Sequence, residues 1–356
     1  MSDIEFHNRE KEIKEILDIL DSRPTLITFI YGPINSGKTE LINHIMLELP
    51  EEYVVFYINL RTKFLASYDE FIESLFEMEM ETEATKRKKK ETLAELISSV
   101  TKVAGIPITR EFLDYVFKDK NPKNAFSYII KLFEEVKNAG KQPVLILDEM
   151  QKIGDVKVNG SLIYELFNFF IDLTKEKHLA YVFVATSDSL FIENVYTKAM
   201  LHGRCRYLLV DDFDKNTTLD FFDRYGFDSR EKELAWNCCG GKPVYIVELA
   251  RVGDAEGMAA KMLKIRTSQI GELLNSLEAY GAEIEFRGGL HEVVYDKVME
   301  ELSKLKENAD CEYGYITPEI SYLVRNNIIF VDPLTMVMKP QSKLDLLAIR
   351  DVIKNA

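Results

Sequence analysis

Two groups of residues in this chain are typed and spaced for phosphate chemistry. The first is Gly32-Pro33-Ile34-Asn35-Ser36-Gly37-Lys38-Thr39. In the pattern G-x-x-x-x-G-K-[ST] the glycines let backbone N–H groups close on a triphosphate, the lysine reaches the β- and γ-phosphate oxygens, and the hydroxyl offers one ligand to Mg2+. Gly32, Pro33, Asn35, Ser36, Gly37, Lys38, Thr39 and Glu40 are therefore candidate nucleotide ligands. Lys38 is also a candidate catalytic cation and Thr39 a metal ligand. The second group is Asp148-Glu149, which follows the apolar run Val144-Leu145-Ile146-Leu147. Asp148 would hold Mg2+ through water, and Glu149 would polarise the attacking water as general base. A strand that merely ends in two solvated acids reads the same in isolation. The phosphate loop elsewhere in the chain, with Asp148 standing 110 positions after Lys38, gives the chemical reading its weight.

Such residues work only if a parallel sheet presents them along one edge. The run Leu26, Ile27, Phe29, Ile30, Tyr31 predicts a strand before the loop, and Leu41, Ile42, Ile45 and Met46 predict a helix after it. A helix N-terminus at that point adds the dipole that favours anions. Further buried strands are expected at Tyr53 to Leu60, Pro143 to Asp148, Ala180 to Ser187 and Tyr207 to Val210, separated by helical stretches. Five strands alternating with helices predict a parallel α/β domain over residues 1–212, with a helical insertion at about 79–121. Thr186 and Ser187 end the fourth strand, as contacts for the γ-phosphate or the attacking water, or as simple strand-end caps. Arg204 and Arg206 precede and enter the fifth strand. Either is a candidate for stabilising charge on the transferred phosphoryl group, and surface salt bridges account for them equally well.

From Asp214 the strand pattern stops. Helices are predicted at Thr217 to Tyr225, Arg230 to Cys239, Pro243 to Val252 and Glu256 to Tyr280, a small helical lid over residues 213–280. Over residues 281–356 helices near His291 to Leu305 and Pro318 to Asn326 precede two short strands, Ile328 to Asp332 and Met336 to Lys339. A last helix runs from Leu344 to Ile353. Helices followed by a small hairpin suggest a winged helix.

Composition narrows the classes. No apolar run approaches the roughly 20 residues of a membrane helix, and the acidic start Met1-Ser2-Asp3-Ile4-Glu5 lacks the layout of an export signal, so a cytoplasmic protein without membrane contact is expected. The formal net charge of -14 over 356 residues argues against wrapping nucleic acid with the whole surface. The basic run Lys86 to Lys90 is flanked by Glu79, Glu81, Glu83 and Glu91 and reads as a solvated helix face. Cys205, Cys238, Cys239 and Cys311 show neither zinc spacing nor a disulfide pattern and are expected as free thiols.

Together these motifs resemble the archaeal branch of the AAA+ and STAND superfamily of P-loop ATPases, and the resemblance covers nearly the whole chain. Phe6-His7-Asn8-Arg9-Glu10 is similar to the family's N-terminal motif, which implies that Asn8 and Arg9 lie beside the adenine. Asn8 departs from the commoner glycine. Gly32 to Thr39 and Asp148-Glu149 match the Walker A and Walker B motifs, Thr186 or Ser187 a sensor position, and Gly203-Arg204 a Gly-Arg before the fifth strand. Gly241-Lys242-Pro243 matches the lid's Gly-x-Pro, which places Pro243 on the nucleotide. The resemblance implies strand order 5-1-4-3-2, ATP or ADP with Mg2+ as ligands, a winged helix after the lid, and a catalytic Arg204 acting within one subunit or on a neighbour's nucleotide. The insertion at 79–121 has no family counterpart.

Two functions follow as expectations. One is an ATP-hydrolysing switch whose nucleotide state controls how lid and winged helix pack, with a protein partner and possible oligomerisation. The other is a nucleotide-regulated DNA-binding protein related to replication initiators, using Arg325, Lys339 and Lys343. The segment His291 to Ala356 carries eight Lys plus Arg against eleven Asp plus Glu, so it offers no basic excess for phosphate contacts.

Overall fold

The computed structural model describes residues 4–63, 65, 67–77, 102–108, 115–116, 122–155, 161–198 and 201–355. Among the described residues as far as Leu209, the elements that build the main sheet and its cover are, in order, α1 (Glu10–Leu20), β1 (Ile27–Tyr31), α2 (Lys38–Glu48), β2 (Tyr53–Asn59), α3 (Tyr68–Leu75), β3 (Lys102–Ala104), α4 (Pro122–Asn138), β4 (Gln142–Asp148), α5 (Ser161–Ile171), β5 (Tyr181–Thr186), α6 (Ser189–Lys198) and β6 (Cys205–Leu209). The strands form one parallel sheet in the order β3-β2-β4-β5-β1-β6. Without β3 this is the expected 5-1-4-3-2 order. The sheet therefore has six strands rather than five. The additional edge strand comes from the segment expected to be a helical insertion, where Lys102, Val103 and Ala104 pair with Val55, Phe56 and Tyr57 of β2. A three-residue strand is too short to show a period in the sequence. The basic run at 86–90 and most of the insertion lie outside the described residues.

Alternation along β1 sorts its side chains to two cores, because successive residues of a strand point to opposite faces. Ile27, Phe29 and Tyr31 join the larger core with Phe133 of α4 and Phe167 of α5. Ile30 joins the other face with Ile16, Ile19 and Leu20 of α1 and Leu41, Ile42 and Ile45 of α2. Helices thus cover both faces, leaving the carboxyl edge of the strands open for function.

Beyond β6 come α7 (Lys215–Arg224), α8 (Ser229–Cys239), α9 (Pro243–Ala250) and the 26-residue α10 (Ala255–Tyr280). Phe221, Phe222, Ala235, Cys239, Ile246 and Leu249 form the core of this helical unit, into which α10 contributes Ala255, Ala259 and Met262. The second half of α10 turns to another core, with Ile270, Leu274 and Leu277 packing beside residues of the last 75 positions. One helix is thus shared by two cores.

The C-terminal part contains a hairpin, β7 (Ala282–Phe286) and β8 (Gly289–Val293), which the sequence reading did not anticipate. It continues with α11 (Tyr295–Ser303), β9 (Cys311–Glu312), α12 (Pro318–Arg325), β10 (Ile329–Asp332), β11 (Val337–Pro340) and α13 (Lys343–Asn355). Strands β9, β11 and β10 form a small antiparallel sheet. Because His291 lies in β8, the helix expected near it begins only at Tyr295. Six of the eight residues of α12 are buried, Glu319 to Val324. All four cysteines are free, Cys239 buried and the others half-buried. No helix among the described residues is long and apolar enough to cross a membrane.

At Gly241 the helical unit closes on the segment that leads into it from β6: the Gly241 carbonyl accepts from Phe213 N at 2.9 Å. A Cβ on Gly241 would sit 1.8 Å from the Phe213 carbonyl oxygen. Gly241→Ala should therefore lower the unfolding free energy by about 1 to 3 kcal/mol, as overpacking against backbone does. Urea denaturation monitored by far-UV circular dichroism checks this, and an unchanged midpoint would contradict the packing.

Candidate functional site

The loop between β1 and α2 is shaped by contacts its sequence requires. A Cβ on Gly32, at φ 155°, would lie 2.1 Å from the Val210 carbonyl oxygen, and Val210 N in turn donates to Tyr31 O at 2.7 Å. Asn35 (φ 59°) and Gly37 (φ 92°) both take left-handed backbone, and Gly37 is the N-cap of α2. Ser36 is fully buried, while Asn35 and Glu40 are exposed. Lys38 Nζ turns into the loop and donates to Gly32 O (3.1 Å), Pro33 O (2.8 Å) and Ser36 Oγ (3.4 Å). Burial first, then the neighbouring Lys242 ammonium, lowers the Lys38 pKa to about 8.

At the end of β4, Asp148 faces the loop. Its Oδ2 accepts from Thr39 Oγ1 (2.9 Å) and from Tyr57 OH (3.0 Å), and its Oδ1 accepts from Glu149 N (2.9 Å). Burial and the Asp148 charge raise the Tyr57 pKa, so the phenol stays a donor. Glu149 has φ 60°, an uncommon backbone for a residue with a side chain and one that recurs at functional positions. Its carboxylate pairs with Arg61 and accepts from Gln151 Nε2 at 2.6 Å. The hydrogen bond to Glu149 raises the Arg61 pKa. Gln151 connects Glu149 to the end of β5: its Nε2 also donates to Ser187 Oγ (3.0 Å), and its Oε1 accepts from Thr186 Oγ1 (2.8 Å).

The N-terminal motif braces the loop from its outer side. Arg9, buried, donates from Nη2 to Ser36 O and Asp211 O, both at 2.7 Å, and from Nη1 to Glu12 at 2.8 Å, with its guanidinium 4.3 Å from the Phe213 ring centre. Asn8 Nδ2 donates to Thr217 Oγ1 of α7 at 3.2 Å. Pro243, the first residue of α9, is 3.8 Å from a Cβ placed on Gly37. Beside it the buried Lys242 donates to Ile34 O (3.0 Å) and pairs with Asp212 Oδ1 (2.8 Å). Burial raises the Asp212 pKa and Lys242 opposes that rise.

Lys38, Thr39, Asp148, Glu149, Thr186 and Ser187 thus meet at one sheet edge, with Asn8, Arg9 and Pro243 around the loop. Arg204 does not join them. Its carbonyl accepts from Ile27 N, and Cys205 is in register with Ile27, so Arg204 stands at the amino edge of the sheet. The loop follows Tyr31, four residues further and about 13 Å away along the strand. Arg206 pairs in register with Thr28, also in the first half of β1, and burial lowers its pKa against the opposing charge of Glu15. A fifth strand parallel to the first necessarily starts at the edge opposite the loop, which the linear motif conceals. Tyr57 and Asn59 of β2 and Arg61 just beyond it, site residues outside the motifs, follow an i, i+2, i+4 pattern of polar groups closing an apolar run. That alternation was a usable signal. Gln151 and Lys242 had only their adjacency to motifs.

A profile of the ATPase domain found predominantly in Archaea matches residues 6–249, and residues 256–353 match a profile described as "Uncharacterized ATP-binding protein MJ1010-like, C-terminal domain". The chain is 46% identical over 353 residues to an ATP-binding protein of Pyrococcus abyssi, covering 98% of both chains. It is 45% identical over 364 residues to one of Methanocaldococcus jannaschii, again covering 98% of both. Among solved structures, a Walker-type ATPase of Pyrococcus abyssi is similar in fold, with a TM-score of 0.63 and 17% identity over 97% of this chain and 96% of that one.

The lowered Lys38 pKa has a consequence for stability. In the unfolded chain the ammonium keeps its proton to about 10.5, whereas in the folded chain it loses it near 8, so between those values the unfolded state binds more protons. Stability of the ligand-free protein should therefore rise with pH from about 8 to about 10 relative to Lys38→Met. Paired urea titrations at stepped pH test it. A parent-to-variant difference independent of pH over that window would contradict the burial of the charge.

Proposed function

We propose, since the chain belongs to the family of ATPase-domain proteins found predominantly in Archaea, that it binds ATP and ADP at the Gly32–Thr39 loop and hydrolyses ATP there as a molecular switch. The observation that carries this reading is the meeting of Lys38, the Thr39–Asp148 hydrogen bond and Glu149 at one edge of the sheet. Gly32, Pro33, Asn35, Ser36, Gly37 and Glu40 contribute the loop and first helical turn that hold the phosphates. Lys38 would neutralise the β- and γ-phosphates. The donor pair Thr39 Oγ1 and Asp148 Oδ2 suits Mg2+, being hard oxygens 2.9 Å apart beside the loop. When bound, Mg2+ would neutralise charge on the β- and γ-phosphate oxygens.

Glu149 Oε would accept the proton of the attacking water. For that its carboxylate must be turned from Arg61, while Gln151, held by Thr186 and Ser187, orients it. Lys242 and Pro243 approach from the lid, residues 213–280, and Asn8 and Arg9 secure the loop from behind, beside where the adenine would lie. Arg204 has no route to the nucleotide of its own chain, so a catalytic role for it would require a neighbouring copy. We assign residues 1–212 to the ATPase domain and 281–356 to a winged-helix module whose packing follows nucleotide state and meets a protein partner in the cytoplasm.

The DNA-binding alternative has less support. Arg325 donates to Glu285 O at 2.7 Å, Lys339 pairs with Asp211, and Lys343 stacks 4.8 Å from the Trp236 ring centre, so all three cations it would use are engaged within the chain. Buried α12 offers no face to a groove.

Two substitutions separate binding from chemistry. Lys38→Ala should fold and lose about 2 to 4 kcal/mol of ATP affinity, read by equilibrium binding of labelled ATP; unchanged affinity would remove the loop from the account. Glu149→Gln should still bind ATP while steady-state turnover falls by about 10² to 10⁴. If it turns over as fast as the parent, the general base lies elsewhere.

A further inference from the structure

The phosphate loop is held from a direction that no motif describes. Ile34 N–H donates to Gln341 Oε1 at 3.0 Å, across 307 residues of sequence. Gln341 follows β11 directly and is 4% exposed. Its Nε2 donates to Ile329 O at 2.9 Å, and its backbone N donates to Ile328 O at 3.1 Å. Because Ile34 N–H can only donate and Ile329 O can only accept, the amide has one orientation. The other polar group of Ile34, its carbonyl, accepts from Lys242. Both backbone groups of this loop residue are therefore bonded to other parts of the molecule, one to the lid and one to the C-terminal domain.

Gln341 belongs to a strip. Lys339, two residues before it and on the same face of the chain, pairs with Asp211, whose carbonyl also holds Arg9. Lys343, two residues after it, lies over Trp236 of α8, and its Cβ would be 2.8 Å from a Cβ added to Gly240. Next to the strip Tyr31 OH donates to Asp332 Oδ1 at 3.1 Å, and Tyr31 stacks on Phe330. One segment thus touches the sheet edge, the phosphate loop and the lid. In this docked state the loop is already curled around a cation, with Lys38 Nζ on Gly32 O and Pro33 O.

We propose that Gln341 is a positioning residue for the phosphate loop: docking of the C-terminal domain through Lys339, Gln341 and Lys343 holds Ile34 in the nucleotide-ready shape. Nucleotide binding and docking then favour each other by the same factor, as linkage requires. This rests on the nucleotide reading above.

Trp236, the single tryptophan, reports the strip. The test uses the full chain, MgATPγS as ligand, isothermal calorimetry for Kd and acrylamide quenching of Trp236 for docking. In the parent, ligand should lower the quenching constant. Gln341→Leu keeps the volume and removes the acceptor; it should raise Kd about 5-fold to 150-fold, the range for stranding one buried donor, and abolish the ligand-induced drop in quenching. A role confined to folding would lower the thermal midpoint but leave that drop intact, which would overturn the proposal. Equal or tighter binding by Gln341→Leu would overturn it too. Should Gln341→Leu fail to fold, the half-exposed Lys339→Ala is expected to weaken binding in the same direction by a smaller factor and shrink the quenching change, and no effect there refutes the coupling. If the parent binds no better than Lys38→Ala, the nucleotide reading and this inference fall together. If the parent binds, Lys38→Ala does not and Gln341→Leu matches the parent, the inference alone falls.

Discussion

The shape of the loop at residues 32–39 is imposed largely from outside it: within it Ser36 N donates to Pro33 O at 3.3 Å, and its other anchors come from distant parts of the chain. In this protein that constraint organises everything around residues 32–39. Val210 sits against Gly32 so closely that no side chain fits, Arg9 spans Ser36 O and Asp211 O, Lys242 takes Ile34 O, and Gln341 takes Ile34 N–H. These residues come from the sheet, the N-terminal motif, the helical unit and the C-terminal domain. The loop is the point at which four parts of the chain agree on one geometry.

Charge follows the same logic. Two buried lysines, Lys38 and Lys242, lie close together, Lys242 adding to the burial that disfavours the Lys38 charge, and Asp148, Glu149 and Asp212 also act on Lys38. Each lysine is turned toward backbone oxygens of the loop, so the positive charge is concentrated at one point. The carboxylates are held in turn: Asp148 by Thr39 and Tyr57, Glu149 by Arg61 and Gln151, Asp212 by Lys242.

Much of this was legible in the residues. Apolar runs ending in Gly32, Asp148 and Thr186 marked strands buried on both faces and put their chemistry at one edge, because parallel strands share a direction. What escaped had physical reasons. β3 and the hairpin β7–β8 are short and mostly polar on at least one face, too brief for periodicity. Arg204 seemed near the site because motifs were read in line, yet the amino end of a strand is the far edge of the sheet. Lys339 and Arg325 looked free because a charged residue in sequence shows no partner, whereas in the fold one meets Asp211 and the other a strand carbonyl. Gln341 carried no signal at all, since a lone Gln 307 positions from its partner is found only when the chain is closed.

The loop at residues 32–39 is shaped jointly by the end of the sheet, the helical unit and the C-terminal domain. Amide hydrogen exchange followed by mass spectrometry across a titration with Mg2+ and a non-hydrolysable ATP analogue tests it most directly. The account predicts slowed exchange in three separate segments, residues 32–39, 241–246 and 328–345, all with the same midpoint concentration. Protection confined to residues 32–39 while the other two segments exchange unchanged would contradict it.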